Sequence, residues 1–169
     1  MREILFRGKR LKDGEWVEGW VTSRFKKFFD GELLTRIQSN VFGGGLHLVD
    51  TETVGQYTGL TDKNGKNIFE GDIVKIAESQ IGFVVYECGA FGIGVKPYID
   101  WDYLDSEIAE ITGCNNSPYF CRCDNFISLW ELKWNYNQEE NNCYVIEVIG
   151  NIHDNPELLR TPQNDEVRE

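Results

Sequence analysis

The sequence is poor in the residues that nucleic-acid binding and most enzyme chemistry require. Its 17 lysines and arginines face 28 aspartates and glutamates, so the formal net charge is −11. Because phosphate backbones are bound by clustered cations, this balance argues against direct nucleic-acid binding. The basic clusters are Arg7–Lys12 and Arg24–Lys27, and both are typical of solvated strand edges.

Motifs of known enzyme classes are missing as well. The chain has no G-x-S-x-G, no P-loop, no kinase set and no HExxH. Its two histidines, His47 and His153, lie in no nucleophile motif. We therefore predict that the protein is not an enzyme and has no cofactor. An enzyme of unrecognised type stays as an alternative, and it would need a pocket that joins a histidine to carboxylates or thiols.

Long hydrophobic runs are also missing. The first apolar run, Ile4–Phe6, is too short for a signal peptide, and no segment reaches the length of a membrane-spanning helix. We therefore expect a soluble, cytoplasmic protein without a membrane partner.

The cysteines are five in number, and an odd count without an export signal favours free thiols. Three of them lie close together in the sequence, at Cys114, Cys121 and Cys123. A zinc site completed by Cys88, Cys143 or His153 is one interpretation. Structural zinc usually uses C-x₂-C pairs, and the chain has none, so semi-buried thiols without a metal are the favoured interpretation.

Short apolar runs between tight turns dominate what is present. Three dipeptides suit hairpin turns, in which both central residues need φ > 0: Asp13–Gly14, Asp30–Gly31 and Asn64–Gly65. Four further runs predict strands: Ile73–Ile76, Ile81–Val85, Phe126–Trp134 and Tyr144–Ile149. The aromatic content of 13% suits a β-rich core, although an exposed aromatic patch that binds a partner would also explain it.

One helix is predicted, from Trp101 to Thr112. Apolar residues recur there at spacings of three and four, and Gly113 suits the end of the helix. Its acidic residues are Asp100, Asp102, Asp105, Glu107 and Glu110. These acids fit a solvated helix face better than a calcium loop, whose spacing is absent. They would also lie at the centre of any acidic surface that mimics a nucleic acid.

A long central segment identifies a family resemblance. Glu52–Lys66, continuing into Ile68–Val74, closely resembles the signature of the YopX family of phage and prophage proteins. Phe6–Lys9 with Gly14–Gly19 resembles the family's opening, and Val148–Leu159 resembles its closing block. The resemblance therefore brackets nearly the whole chain.

The resemblance implies a β-rich fold with a small SH3-like barrel and a location in a bacterial host cell. It implies no activity, so no catalytic residue is carried over. We predict a mainly β protein in which an N-terminal lobe of β-hairpins, residues 1–71, packs on a small SH3-like barrel, residues 72–155. The barrel carries a short helical insertion near residues 101–112, and residues 156–169 form a tail. Residues 77–142 match no known motif.

The predicted function is that of a phage or prophage accessory protein that binds a host or phage protein without catalysis. A homo-oligomer is expected, and an acidic nucleic-acid mimic or inhibitor of a host enzyme is the alternative. The predicted interaction surface consists of five signature residues: Gln56, Tyr57, Asp62, Lys63 and Asn64. The same residues could instead hold the two parts of the fold together.

Overall fold

A computed structural model describes residues 3–26, 31–87, 89–96, 98–113, 125–136, 142–143 and 145–159. These residues form a mainly β protein, as predicted. The chain divides into two compact units, Met1–Gly59 and Leu60–Glu169. Among the described residues no helix is long and apolar enough to cross a membrane.

The first unit is an antiparallel meander. Its strands are β1 (Phe6–Lys9), β2 (Trp16–Lys26), β3 (Leu33–Ser39) and β4 (Leu46–Asp50), followed by a 3₁₀ turn at Thr51–Thr53 and the start of β5 (Gly55–Asp62). The strands pair in the order β5-β1-β2-β3-β4. A turn at Asp13–Gly14 joins β1 to β2, as predicted, but only Gly14 has a positive φ, of 75°, so the predicted turn type with two positive φ angles is wrong.

The meander curls so that its last strand meets the end of its first. Arg10 bridges to Val49, and the backbone N–H of Leu11 donates to the carbonyl of Leu48 over 3.0 Å. A small core fills the inside of the curl, built on Val17, Ile37 and Val49. Strand β4 is therefore held on both sides, by β3 and by the residues that follow β1.

The second unit contains the larger core. Its elements are β6 (Asn67–Phe69), β7 (Asp72–Ile76), β8 (Gln80–Glu87), β9 (Ala90–Val95), α1 (Trp101–Thr112), β10 (Phe126–Ser128), α2 (Leu129–Tyr136), β11 (Asn142–Cys143), β12 (Ile146–Asn151) and a 3₁₀ turn at Pro156–Leu159. The main sheet has the order β10-β9-β8-β7-β12, and β6 and β11 pair with the end of β5. The described strands do not test the SH3-like character, which stays a prediction.

The predicted boundary between a lobe of residues 1–71 and a barrel of residues 72–155 stays a prediction. The two compact units divide after Gly59. The reason is burial: Leu60 and Ile68, on either side of the Asn64–Gly65 turn, both belong to the core of the second unit. The hairpin that carries much of the family signature is thus part of the second unit.

Helix α1 has the bounds that the sequence predicts. The Asp100 side chain accepts the backbone N–H of Tyr103 at the start, and Gly113 ends the helix with φ 69°. Leu104 and Ile108 are fully buried in the core, whereas Ile111, on the predicted apolar face, is about half exposed. The predicted helical insertion near residues 101–112 is confirmed at the level of secondary structure.

The prediction of one strand over Phe126–Trp134 is wrong. Only β10 is extended, and helix α2 begins directly after it. The Ser128 hydroxyl accepts the backbone N–H of Glu131 over 3.4 Å, and Leu129 and Leu132, three residues apart, are both buried. Burial of Leu129 and Leu132, at a spacing that suits a helix, outweighs the strand preference of the aromatic residues in this segment.

Of the five cysteines, Cys143 lies within the described residues, and it is a buried free thiol. Burial raises the pKa of the Cys143 thiol from 9.0 to about 12. A raised pKa contributes stability that is present below the unfolded value and is lost as the pH rises through the folded value.

We therefore expect the free energy of unfolding to fall between about pH 9 and about pH 12, by up to about 4 kcal/mol for this group. Cys143→Ala should remove that part of the pH dependence. Urea unfolding of both proteins at pH 8 and pH 11 measures it, and parallel pH profiles for the two proteins would contradict the expectation.

Candidate functional site

A groove of about 560 Å³ lies at one end of the first unit's sheet. Strand β2 and the turn between β3 and β4 form its sides. The residues that give it chemical character are Arg10, Trp16, Glu18, Asn40, Gly43–Gly45 and His47. The groove thus combines an aromatic ring, a cation, a carboxylate and an imidazole.

Trp16 is held in the groove by cations of the neighbouring strand. In the β1–β2 ladder Lys9 lies opposite Trp16, and Arg7 is two residues away on the same face of β1. The Arg7 guanidinium carbon lies 4.8 Å from the ring centroid, and the Lys9 ammonium lies 5.7 Å from it. Both distances are in the range of cation–π contacts, so the ring is fixed in position and lies in a positive environment.

Arg10 is positioned by the turn between β1 and β2. Its Nε lies 3.0 Å from a carboxylate oxygen of Asp13, and its carbonyl accepts the backbone N–H of Gly14 over 2.8 Å. The side chain stays partly exposed. The hairpin turn therefore places a guanidinium at the edge of the groove.

The turn between β3 and β4 is built by hydrogen bonds. The backbone N–H of Gly44 donates to the carbonyl of Val41, and that of Ser39 donates to the carbonyl of Gly45. The Gln38 side-chain amide donates to the carbonyl of Gly44 over 2.9 Å. Hydrogen bonds thus define the conformation of this glycine-rich turn.

This turn and the adjoining sheet expose five large apolar side chains. Phe42 is fully exposed (105%) and Val41 is 69% exposed. On the sheet, Trp20 pairs with Gln38 and Gln38 pairs with Leu46, which places these side chains on one face. We call the exposed set the apolar surface, and it consists of Trp20, Val41, Phe42, Leu46 and Leu48.

Two of the five predicted interaction residues lie in the first unit. Gln56 pairs with Phe6 and is half-buried, and Tyr57 is only 7% exposed. Burial, followed by the charges of Glu3 and Glu18, raises the pKa of Tyr57. Tyr57 is therefore packed as a structural residue would be.

The other three lie in the hairpin of the second unit, and Asp62 is its centre. Asp62 is 1% exposed. One carboxylate oxygen accepts the backbone N–H groups of Asn64 and Lys66, at 2.8 and 2.9 Å, and the other accepts that of Val148 at 3.0 Å. This carboxylate closes the hairpin and joins it to β12, so its evident role is structural.

Lys63 and Asn64 are exposed at the tip of the same hairpin. The Lys63 ammonium lies 2.8 Å from a Glu147 carboxylate oxygen, and this hydrogen bond raises the pKa of Lys63. An interaction role for the five residues as a set stays a prediction.

The predicted metal-binding residues are tested only in part. Cys88, Cys114, Cys121 and Cys123 lie outside the described residues. Within the described ranges no group of three or more His, Cys, Asp or Glu side chains could hold a metal ion. Of the histidines, His47 lines the groove together with Glu18, and His153 is exposed in the second unit.

The acidic residues are distributed unevenly between the units. Residues 1–59 contain nine lysines and arginines and eight acids, a net charge of +1 with histidine neutral. Residues 60–169 contain eight cations and 20 acids, a net charge of −12. Within α1, Asp100 caps the helix and Glu107 accepts the Ser79 hydroxyl over 2.7 Å.

The sequence identifies the parts of the groove but not the groove itself. Arg10, the Gly43–Gly45 triplet and His47 are each noticeable in the sequence, on three separate segments. They meet because β4 pairs with β3 on one side and bridges to the residue that follows β1 on the other. Only the pairing of the strands brings these three segments together, and a prediction of the groove would have required that pairing.

The fold is that of a mainly antiparallel β protein in two compact units, with a groove on its first unit. The profile of the YopX protein family matches residues 5–160, and the chain therefore belongs to the YopX family. The crystal structure of protein EF1440 from Enterococcus faecalis is similar, with 23% sequence identity and a TM-score of 0.43 over 95% of this chain and 100% of that chain. No curated protein matches the sequence.

Proposed function

We propose that this protein is a non-enzymatic phage or prophage accessory module that binds a host or phage protein through the apolar surface. The observation that carries the proposal is the joint exposure of five large apolar side chains on one sheet face and its turn. Contiguous apolar patches on protein surfaces commonly mark protein interfaces. Phe42 is the expected anchor, because a fully exposed ring gains most from burial in a partner.

The charges beside the apolar surface define the partner's chemistry. Arg36 on β3 is exposed and lies opposite Leu48 in the ladder, on the same face as Trp20 and Leu46. The Arg36 guanidinium also lies 4.6 Å from the centroid of the Phe25 ring. A partner that fits has an apolar centre surrounded by acidic residues, because complementary charge around an apolar core favours association.

The test compares wild type with Phe42→Asp and with Tyr98→Asp, a control that alters an exposed aromatic residue of the second unit. The tagged proteins capture a partner from the lysate of a phage-carrying host, and the affinity for the purified partner is then measured. We expect Phe42→Asp to weaken binding by about 30-fold or more and the control to change it by less than about twofold.

Two results would overturn the proposal. In the first, light scattering shows a wild-type oligomer that Phe42→Asp disperses, which makes a second copy of the chain the occupant of the apolar surface. In the second, a partner is captured equally well by wild type and Phe42→Asp.

The net charge of −12 on the second unit supports the alternative, an acidic mimic that occupies a nucleic-acid site on a basic protein. Asp102 and Glu110 are exposed on α1. For a mimic, Asp102→Lys with Glu110→Lys should abolish capture, and affinity should fall steeply with salt. Phe42→Asp should then leave binding unchanged, which separates the two functions.

A further inference from the structure

We infer that Asn64 is a site of spontaneous deamidation, and that Asp62 protects it for as long as the hairpin of the second unit stays closed. In this reaction the backbone nitrogen of Gly65 gives up its proton to solvent and attacks the side-chain amide carbon of Asn64. The new C–N bond closes a succinimide ring, and the side-chain amide takes up a proton and leaves as ammonia. Water then opens the ring to give aspartate or isoaspartate, in which the backbone runs through the former side chain.

The sequence makes Asn64 the most susceptible asparagine. It precedes Gly65, and no other asparagine of the chain is followed by a glycine. Glycine has no side chain to hinder attack by its own nitrogen, and it can adopt the backbone conformation that ring closure requires. Asn67, further along the same hairpin, precedes the β-branched Ile68, which hinders the reaction. One hairpin therefore holds a reactive and an unreactive asparagine.

The closed hairpin engages the nitrogen that would attack. The backbone N–H of Gly65 donates to the carbonyl of Asp62 over 2.9 Å, and Gly65 has a φ of 80°. Attack requires this N–H to lose its proton. The closed turn opposes that loss, because deprotonation breaks the hydrogen bond.

The Asp62 carboxylate holds the residues on both sides of this nitrogen. One of its oxygens accepts the backbone N–H groups of Asn64 and Lys66, at 2.8 and 2.9 Å. The backbone on either side of the Asn64–Gly65 bond cannot rotate towards ring closure without breaking these hydrogen bonds. Asn64 is exposed to water, but its reaction needs the turn to open. The rate should therefore follow the fraction of molecules in which the hairpin is open.

Isoaspartate at position 64 would prevent the hairpin from closing again. The altered linkage lengthens the backbone between the N–H of residue 64 and that of Lys66, so a single carboxylate oxygen can no longer accept both. The other oxygen of Asp62 accepts the backbone N–H of Val148 on β12 over 3.0 Å. A modification at an exposed turn would thus reach the main sheet of the second unit and make one opening event permanent.

The first experiment compares the unaltered protein in native buffer with the same protein in urea, both in mildly alkaline solution. Cleavage after glutamate releases residues 53–70, which contain both Asn64 and Asn67, and mass spectrometry locates the deamidated residue. We expect Asn64 to react at least about tenfold more slowly in the native protein than in urea. Asn67 is the internal control and should react far more slowly than Asn64 in urea.

Two variants test the role of the carboxylate. In native buffer, Asn64 should react at least about tenfold faster in Asp62→Ala than in wild type. Lys63→Ala is the matched control, because it removes an exposed side chain of the same turn and leaves the carboxylate in place, and its rate should stay within about twofold of wild type. Circular dichroism establishes that each variant is folded. If Asp62→Ala does not fold, the comparison of native and urea-treated wild type decides the question.

Hydrogen exchange tests the effect of the modification on the fold. Wild type that has been deamidated in urea is refolded, and its two products are separated by chromatography. The isoaspartate form should show fast exchange at the amides of Lys66 and Val148. Asn64→Asp has the ordinary linkage with the same charge, and it should keep both amides protected, because Asn64 contributes only its backbone N–H to Asp62.

Three results would overturn the inference: equal rates for Asn64 in native buffer and in urea, a wild-type rate in folded Asp62→Ala, or protected Lys66 and Val148 amides in the isoaspartate form. The inference does not rest on the proposed function, because the hairpin belongs to the second unit and the apolar surface to the first. Phe42→Asp should therefore deamidate at the wild-type rate, whether or not it has lost a protein partner.

Discussion

Replacing Gly19 by alanine is expected to destabilise the first unit by about 3 kcal/mol, although the change adds a single methyl group. The added Cβ would lie 1.8 Å from the carbonyl oxygen of Gln38 and 2.7 Å from its carbonyl carbon. These are backbone atoms, and Gln38 cannot withdraw easily because it pairs with Trp20 on one side and Leu46 on the other. The sheet must therefore separate locally, and the adjacent groove should widen.

Gly45→Ala is the matched control in the same unit, because its Cβ would meet no atom within 4 Å and its φ is not positive. Its effect should lie within about 0.5 kcal/mol. Urea unfolding of the three proteins, followed by circular dichroism, measures the difference. Equal stabilities for Gly19→Ala and Gly45→Ala would show that the β2–β3 ladder is not as close as described.

Asp62→Ala is expected to cost the second unit about 4 kcal/mol. The buried carboxylate accepts three backbone N–H groups, and hydrogen bonds to a charged group contribute about 1.5–3 kcal/mol each. The alanine variant leaves donors of the hairpin and of β12 without their acceptor. The loss should therefore exceed that of an ordinary surface substitution by a wide margin.

Asn64→Ala tests the same hairpin without touching this network, because Asn64 contributes only its backbone N–H to Asp62. We expect a change of about 0.5 kcal/mol or less. Hydrogen exchange at the amides of Lys66 and Val148 gives a local readout, and it should accelerate strongly only in Asp62→Ala. Protected amides in that variant would contradict the structural role of the carboxylate.

Elements with a local cause could be predicted from the sequence. The turns at Asp13–Gly14 and Asn64–Gly65 each depend on a glycine with positive φ, and α1 depends on a cap at Asp100 and a stop at Gly113. Helix α2 could not, because its sequence also suits a strand. Burial of Leu129 and Leu132 decides the conformation, and that burial depends on distant strands.

Even less of the candidate site than of the fold could be predicted from the sequence. The sequence of the signature hairpin does not show whether its acidic residue binds a partner or closes the turn. In the structure Asp62 accepts hydrogen bonds from the backbone of its own turn. The groove requires β4 to lie beside the end of β1, and the two are joined by the bridge between Arg10 and Val49 and by the backbone hydrogen bond from Leu11 to Leu48. No local sequence pattern predicts such a contact between residues that are far apart in the sequence.

The family signature has a physical explanation in these contacts. Gly71 has φ 82°, its N–H donates to Val84, and its carbonyl accepts the N–H of Ile152. Gly71 thus ties the central motif to β8 and to the residues that follow β12. The signature residues Asp62 and Gly71 therefore specify folding of the second unit, and they identify the family without identifying an activity.

In the turn between β3 and β4, the residues that maintain the backbone conformation differ from the residues whose side chains are most exposed. The hydrogen bonds of this turn use the backbone of Ser39, Val41, Gly44 and Gly45 and the side chains of Gln38 and Ser39, but not the side chains of Val41 or Phe42. Substitutions at these two positions therefore carry little folding cost. The surface at Val41 and Phe42 can therefore differ between related sequences while the backbone of the turn keeps one conformation.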